Sequence, residues 1–208
     1  MNKLYVLLFL IPITILGCKS LENDSQIINQ SINTLNMNIF SNEGKKLLSI
    51  KSPYSNYDKD KNIFNLKETK IYLFKDNKSK YIITSEISKL SNNNKLLELK
   101  GDVIIKTHIK EEGKIHTNSF IWNIENSEFL LLGNVKFENN LIFLSSNKAI
   151  LDTTNNIIEF FKPVNYKVYN SNNESGYEVN SENAYYNLDT KSVNFRSTEE
   201  RVRTKIYF

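Results

Sequence analysis

Five copies of one pattern run from residue 50 towards the end of this chain, and such a repeat constrains the fold more than composition does. With Tyr57, Leu90, Trp122, Leu151 and Tyr186 as anchors, successive copies are 33, 32, 29 and 35 residues apart. Each anchor precedes a turn former or small polar residue: Asp58, Ser91, Asn123, Asp152 and Asn187. Seven positions before the anchors stand Ile50, Ile83, Ile115, Leu144 and Val179. Five before stand the hydroxyls of Ser52, Ser85, Thr117, Ser146 and Ser181. Seven positions after come Phe64, Leu97, Phe129, Ile158 and Val193. Nine after come Leu66, Leu99, Leu131, Phe160 and Phe195. In a chain that is 40% hydrophobic, one all-apolar column of five arises by chance in roughly one case in a hundred. Four columns agree here.

Each unit reads as two strands around a short polar turn, such as Asp58-Lys59-Asp60-Lys61-Asn62 or Thr153-Thr154-Asn155-Asn156. Val, Ile, Phe, Tyr and Thr favour strands, and Asn and Asp favour turns because they tolerate left-handed backbone. Offsets seven and nine share parity, so Leu97/Leu99 and Phe129/Leu131 face one side. A unit this small buries its apolar face only by stacking on the next. The expected fold is all-β: two facing antiparallel sheets of about five hairpin units, forming an open, elongated sandwich over residues 39–208. Gly101 and Gly133 read as turn or bulge glycines.

Ahead of the repeats, Met1 to Lys3 is a short basic start, and Leu4 to Leu16 is almost wholly apolar. Thirteen residues suit a signal-peptide core and are short of the ~20 that span a bilayer. Ile15-Leu16-Gly17-Cys18 then resembles a bacterial lipobox, which makes 1–17 a lipoprotein signal peptide and Cys18 the acylated residue. The other reading is an uncleaved anchor with an incidental Cys18. Residues 18–38 read as a tether. Ile28, Ile32, Leu35 and Ile39 recur at steps of four, three and four, a helical spacing, although an Asn-rich stretch also suits a loose linker.

Much else is excluded. A single Cys forbids an internal disulfide and multi-Cys zinc sites. His108 and His116 are the only histidines, and they read as exposed strand residues. No GxGxxG, P-loop, GxSxG or HExxH pattern occurs. A net charge of +4 without a basic stripe does not fit a nucleic-acid binder. No enzyme activity, cofactor or metal is expected.

Short motifs narrow the reading further. Ala149-Ile150-Leu151-Asp152 and Ala184-Tyr185-Tyr186-Asn187 match an Ala-x-Tyr-Asp type. Leu99-Lys100-Gly101-Asp102-Val103 and Leu131-Leu132-Gly133-Asn134-Val135 match Leu-x-Gly-Asp/Asn-Val. With the repeat and the N-terminal anchor, the chain resembles the OstA-like β-jellyroll proteins of lipopolysaccharide transport, above all their membrane-anchored LptC (YrbK-like) branch, over residues 39–208. It departs at Ser55, Ser88 and Phe120, where the small Ala would fall, and in a lipobox where a transmembrane helix is common. The resemblance implies a periplasmic bridge that passes lipopolysaccharide or a related glycolipid from inner-membrane ABC exporter subunits to an anchorless OstA-like periplasmic partner. The lipid anchor would sit in the inner membrane, the outer being the alternative. The inner face would be a lipid trough, with Ile83, Leu97, Leu99, Ile115, Phe129, Leu131, Leu144, Ile158 and Phe160 as candidate lining. The same residues equally describe a sealed core. A surface lipoprotein acting as a structural or adhesive binding module is the alternative function.

The C-terminus reads as an edge strand. All three arginines, Arg196, Arg201 and Arg203, fall in the last 13 residues. From Arg201 the chain alternates, with Arg201, Arg203, Lys205 and Tyr207 on one face and Val202, Thr204, Ile206 and Phe208 on the other. Such charges either keep an edge from pairing or mark a docking edge, Arg201 to Ile206, where the bridge partner adds its own strand.

Overall fold

The structure, a computed structural model, describes residues 29–76, 78–91, 93–107, 113–169 and 175–207. The signal-peptide and Cys18 expectations, and His108, lie outside these residues. The described residues form strands and no helix, and the strands join antiparallel into a single sheet. Eight strands form a meander: β1 (Asn29–Phe40), β2 (Lys46–Asp58), β3 (Ile63–Lys75), β4 (Lys78–Ser91), β5 (Leu96–Thr107), β6 (Lys114–Asn123), β7 (Glu128–Glu138) and β8 (Ile142–Asp152). The sheet then forks. The first half of β8 pairs with β10 (Val164–Tyr169), which leads to β11 (Ser175–Ser181) and β14 (Arg203–Ile206). The second half pairs with β9 (Ile157–Phe161), which leads to β12 (Asn183–Asn187) and β13 (Val193–Arg196).

The fork makes plain what the long strands already do. Each bends near its middle, so its two halves lie in two facing walls. The burial pattern records the bend. In β4 the buried positions are 81, 83 and 85, then 88, 90 and the terminal 91; in β8 they are 142, 144 and 146, then 149 and 151. A strand alternates with a period of two, so the step of three marks where the inner face changes wall. Rings meet across the gap: Tyr81 with Phe129 at 6.1 Å, Phe137 with Tyr186 at 4.6 Å, and Tyr166 with Phe195 at 5.3 Å.

The repeated hydroxyls sit on this fold line and hold it. Ser52 donates to Tyr54 O at 2.7 Å, Ser146 to Lys148 O at 2.7 Å, and Ser181 to Asn183 O at 3.0 Å. Thr117 lies 3.1 Å from Ser119 O. Each hydroxyl thus ties the backbone across the bend, to the carbonyl two residues on. Ser85 instead pairs with the Ser88 hydroxyl at 2.8 Å. On alternate strands the bend is made by Gly101-Asp102 and Gly133-Asn134, both pairs at positive φ, beside breaks in register. These are the bulge glycines expected from the sequence. Pro163, which has no amide hydrogen, separates β9 from β10.

The all-β, open, elongated architecture of facing antiparallel walls is therefore as expected, and the turns after the anchors close five hairpins. The walls are two halves of one folded sheet. The N-terminal boundary needs correction. Residues 29–38 are not a tether and not helical, because β1 pairs with β2 from Asn29↔Asp58 to Phe40↔Lys46. Its half-buried positions are 32, 35, 37 and 39. The step of three from Ile32 to Leu35 is the fold line again, and Leu35 to Ile39 is two strand periods. Together they imitate a helical spacing.

Candidate functional site

Pairing turns the repeated columns into rows that run across the strands. On the first wall the row is Met37–Ile50–Ile71–Ile83–Ile105–Ile115–Phe137–Leu144–Tyr166–Val179, each residue opposite the next. On the second wall Tyr57, Phe64, Leu90, Leu97 and Trp122 follow one another, and Phe129, Leu151, Ile158, Tyr186 and Val193 continue the line. Trp122 and Phe129 join the two stretches by ring contact at 5.0 Å. Beside the fold line runs a further row: Ser88, Leu99, Phe120, Leu131, Ala149, Phe160, Ala184 and Phe195, in which small and large residues alternate from Leu131 onward. The alanines of the Ala-x-Tyr-Asp motif are the small members, opposite Leu131, Phe160 and Phe195. At ~4.8 Å between strands, the first row runs roughly 43 Å.

All nine inner-face candidates fall on these rows. Ile83, Leu97, Leu99, Leu131, Leu144, Ile158 and Phe160 have no exposed surface, and Ile115 and Phe129 have only a few per cent. Lys100 and Lys136, of opposite parity, are exposed. The rows cross many hydrogen-bonded strands, so their backbone polar groups are largely paired within the sheet. What faces inward is a long apolar surface bounded by two walls. Among the described residues no three His, Cys, Asp or Glu side chains are placed to hold a metal.

At the C-terminal end the predicted edge is partly a strand. β14 covers Arg203 to Ile206 and lies at the outer border of its branch, paired among the described residues with β11 alone. Thr204 stands opposite Val179 and so extends the first-wall row by one residue. Arg201 and Val202 precede the strand, and all six residues are exposed. The sequence reading missed the second edge. The other wall ends on β13, which among the described residues pairs with β12 alone, so within those residues both walls terminate in a free strand border. It also missed Glu182, which sits between β11 and β12 and is 7% exposed. Its carboxylate accepts the amides of Thr198, Glu199 and Glu200 at 2.9, 3.0 and 2.8 Å, and the Thr198 hydroxyl at 2.9 Å. Those amides, led by Thr198 and Glu200, hold its pKa down at about 2. Glu182 thereby fixes the segment that leads from β13 to β14. One acidic residue among 23 carries no signal of such a role in the sequence.

Known proteins can now be set beside this geometry. The family model described as lipopolysaccharide-assembly, LptC-related, matches residues 5–130, more than half of the chain. The chain belongs to that LptC-related family. Proteins of this family are transport components rather than enzymes. The LptC-related chain also has a structural neighbour in LptH from Pseudomonas aeruginosa, described as the LptA-homologous periplasmic component of the conserved lipopolysaccharide transport device. The likeness covers 77% of this chain and 94% of that one, at 10% identity and a TM-score of 0.39. No curated relative matches the sequence.

Proposed function

We propose that this LptC-related protein is a lipid-anchored periplasmic bridge. It takes lipopolysaccharide or a related glycolipid from an inner-membrane ABC exporter and passes it towards the outer membrane. The observation that carries the reading is the pair of apolar rows, one running from Met37 on β1 to Val179 on β11 and the other from Tyr57 on β2 to Val193 on β13. An acyl chain between the walls would meet mainly side-chain carbon, with the strands' backbone polar groups paired along the ladders. The walls are in contact in this structure, so a chain enters only where they part. Anchoring rests on Cys18, which would carry the acyl chains after the signal peptide is cut.

The test is photo-crosslinking in living cells. A photoreactive residue at Leu99 or Leu131 should capture glycolipid, and one at Lys100 or Lys136 should not. Equal capture at both pairs, or none at either, makes the inner face a sealed core. Cys18→Ala should abolish palmitate labelling and leave the chain unprocessed; unchanged labelling removes the anchor from the proposal.

A further inference from the structure

The chain joins the two walls along the fold line, whereas on the opposite side they meet through side chains alone. At one spot on that open side a cation bridges the walls. Between β3 and β4 the register runs Leu73↔Tyr81 and then Phe74↔Ser79, so Lys80 is an extra residue, a β-bulge. Tyr81 and Ile83 face inward, and simple alternation would turn Lys80 outward. Bulges re-aim a side chain, and this one sends Lys80 across the gap. Its Nζ reaches Asn156 Oδ1 and lies 3.4 Å from Thr153 O, both in the turn between β8 and β9 on the other wall. It also stands 5.3 Å from the centre of the Tyr81 ring.

Beneath this bridge lies a cavity of about 170 Å³ with a mainly apolar lining that includes Leu47, Leu73, Tyr81, Trp122 and Phe129. Lys75 stands at its mouth. A cavity of roughly 150 Å³ holds one benzene ring, so this one accepts the end of an acyl chain, and more of the chain only if the walls part. An apolar hole with two cations at its mouth matches the two ends of an anionic amphiphile. We infer that the rim between the β3–β4 and β8–β9 turns is a lateral portal for one acyl chain of an anionic lipid, with Lys80 as both its latch and its head-group ligand. In the closed state Lys80 binds Asn156 and the Thr153 carbonyl. In the loaded state a phosphate or carboxylate takes their place, and the bridge between the walls opens. The inference rests on the lipid-carrying role proposed above and adds a side entrance to it.

Trp122 is the only tryptophan of the chain and lines the cavity, so its fluorescence reports occupancy. The probe is 12-bromododecyl phosphate, kept below its micelle threshold and added to the full-length protein. Saturable quenching is expected. Lys80→Met should raise the half-saturation concentration about tenfold, the value of one charge-assisted hydrogen bond, and Lys80→Arg should restore most of it. Asn156 has a φ of +56°, which glycine tolerates, so Asn156→Gly removes the latch partner without backbone strain, together with the amide's bonds to Asp189 at 3.0 and 2.8 Å, and should bind the probe more tightly. Circular dichroism checks that each variant is folded. Equal quenching of wild type and Lys80→Met overturns the portal, as does displacement of the probe by an equal concentration of inorganic phosphate. Weaker binding by Asn156→Gly makes Lys80 a purely structural tie and also overturns it. If lipid capture at Leu99 persists in any of these cases, the portal alone fails. If capture is absent as well, the lipid-carrying role fails with it.

Discussion

Thr117 shows how much a single side chain does on the fold line. It is 4% exposed, and its hydroxyl sits 3.0 Å from Leu132 O and 3.1 Å from Ser119 O. Thr117→Val keeps the shape and removes the donor, leaving buried carbonyls short of a partner. The expected cost is about 1–3 kcal/mol, read as a lower urea midpoint at unchanged slope. An unchanged midpoint would mean that water takes over the bond. Gly133 faces the Thr117 strand at a φ of +77°, and a Cβ there would approach the Asn118 side chain at 3.0 Å. Gly133→Ala should lose about 1–2 kcal/mol from the left-handed backbone alone, whereas Gly44, with a φ of +78° and open space around it, should lose no more than that.

At the scale of elements, the segment from Ser197 to Val202 is held by Glu182 rather than by a ladder. The folded pKa of Glu182, at about 2, lies below its ordinary 4.5. The charged carboxylate therefore stabilises the fold at any pH above the ordinary value, and this contribution is lost as pH falls from about 4.5 towards 2. Amide exchange at Thr198, Glu199 and Glu200 should stay slow from pH 7 to 5, after correction for intrinsic rates, and lose protection below about 4. In Glu182→Gln one carbonyl oxygen replaces two carboxylate oxygens, and an NH₂ faces the donors. That variant should exchange fast at every pH while β2 to β8 keep their protection. Slow exchange in Glu182→Gln would show that Lys162, 4.0 Å from Glu182 and 3.0 Å from Glu200, holds the segment by itself.

For the whole molecule the decisive feature is that both walls end on unpaired borders, β13 and β14 at one end and β1 at the other. A partner of the same folded-sheet build would continue both walls and both sets of rows. Exposed Ile206 and Val202, set among Arg201, Arg203 and Lys205, suit a partner edge with apolar and acidic side chains. Deleting Val202 to Phe208 removes β14 and leaves the Glu182 clip, so the chain should stay folded and lose its bridge partner in a pull-down. Retention at the wild-type level would move the docking edge to β1.

The sequence by itself determined, for the five repeats but not for β1, the strands, their hairpin turns and the inward parity of their apolar residues, because the alternation and turn chemistry that encode them are local. Ile83, Leu99 and Phe160 could be assigned to one face from parity and repeat alone, and Gly101 and Gly133 could be read as bulges. What only the tertiary structure decided is what depends on which strands lie opposite. The bend that makes one sheet into two walls shows in sequence as a step of three, which in Ile32 to Leu35 looks helical. The hydroxyl column showed its regularity but not its partners, since which carbonyl lies within reach depends on how the strand bends. Lys80 faces inward because β3 leaves one residue of β4 unpaired, and Glu182 is buried because a segment 16 residues away closes over it. Neither register nor closure is written in a local pattern, so neither residue could be singled out before the walls were in place.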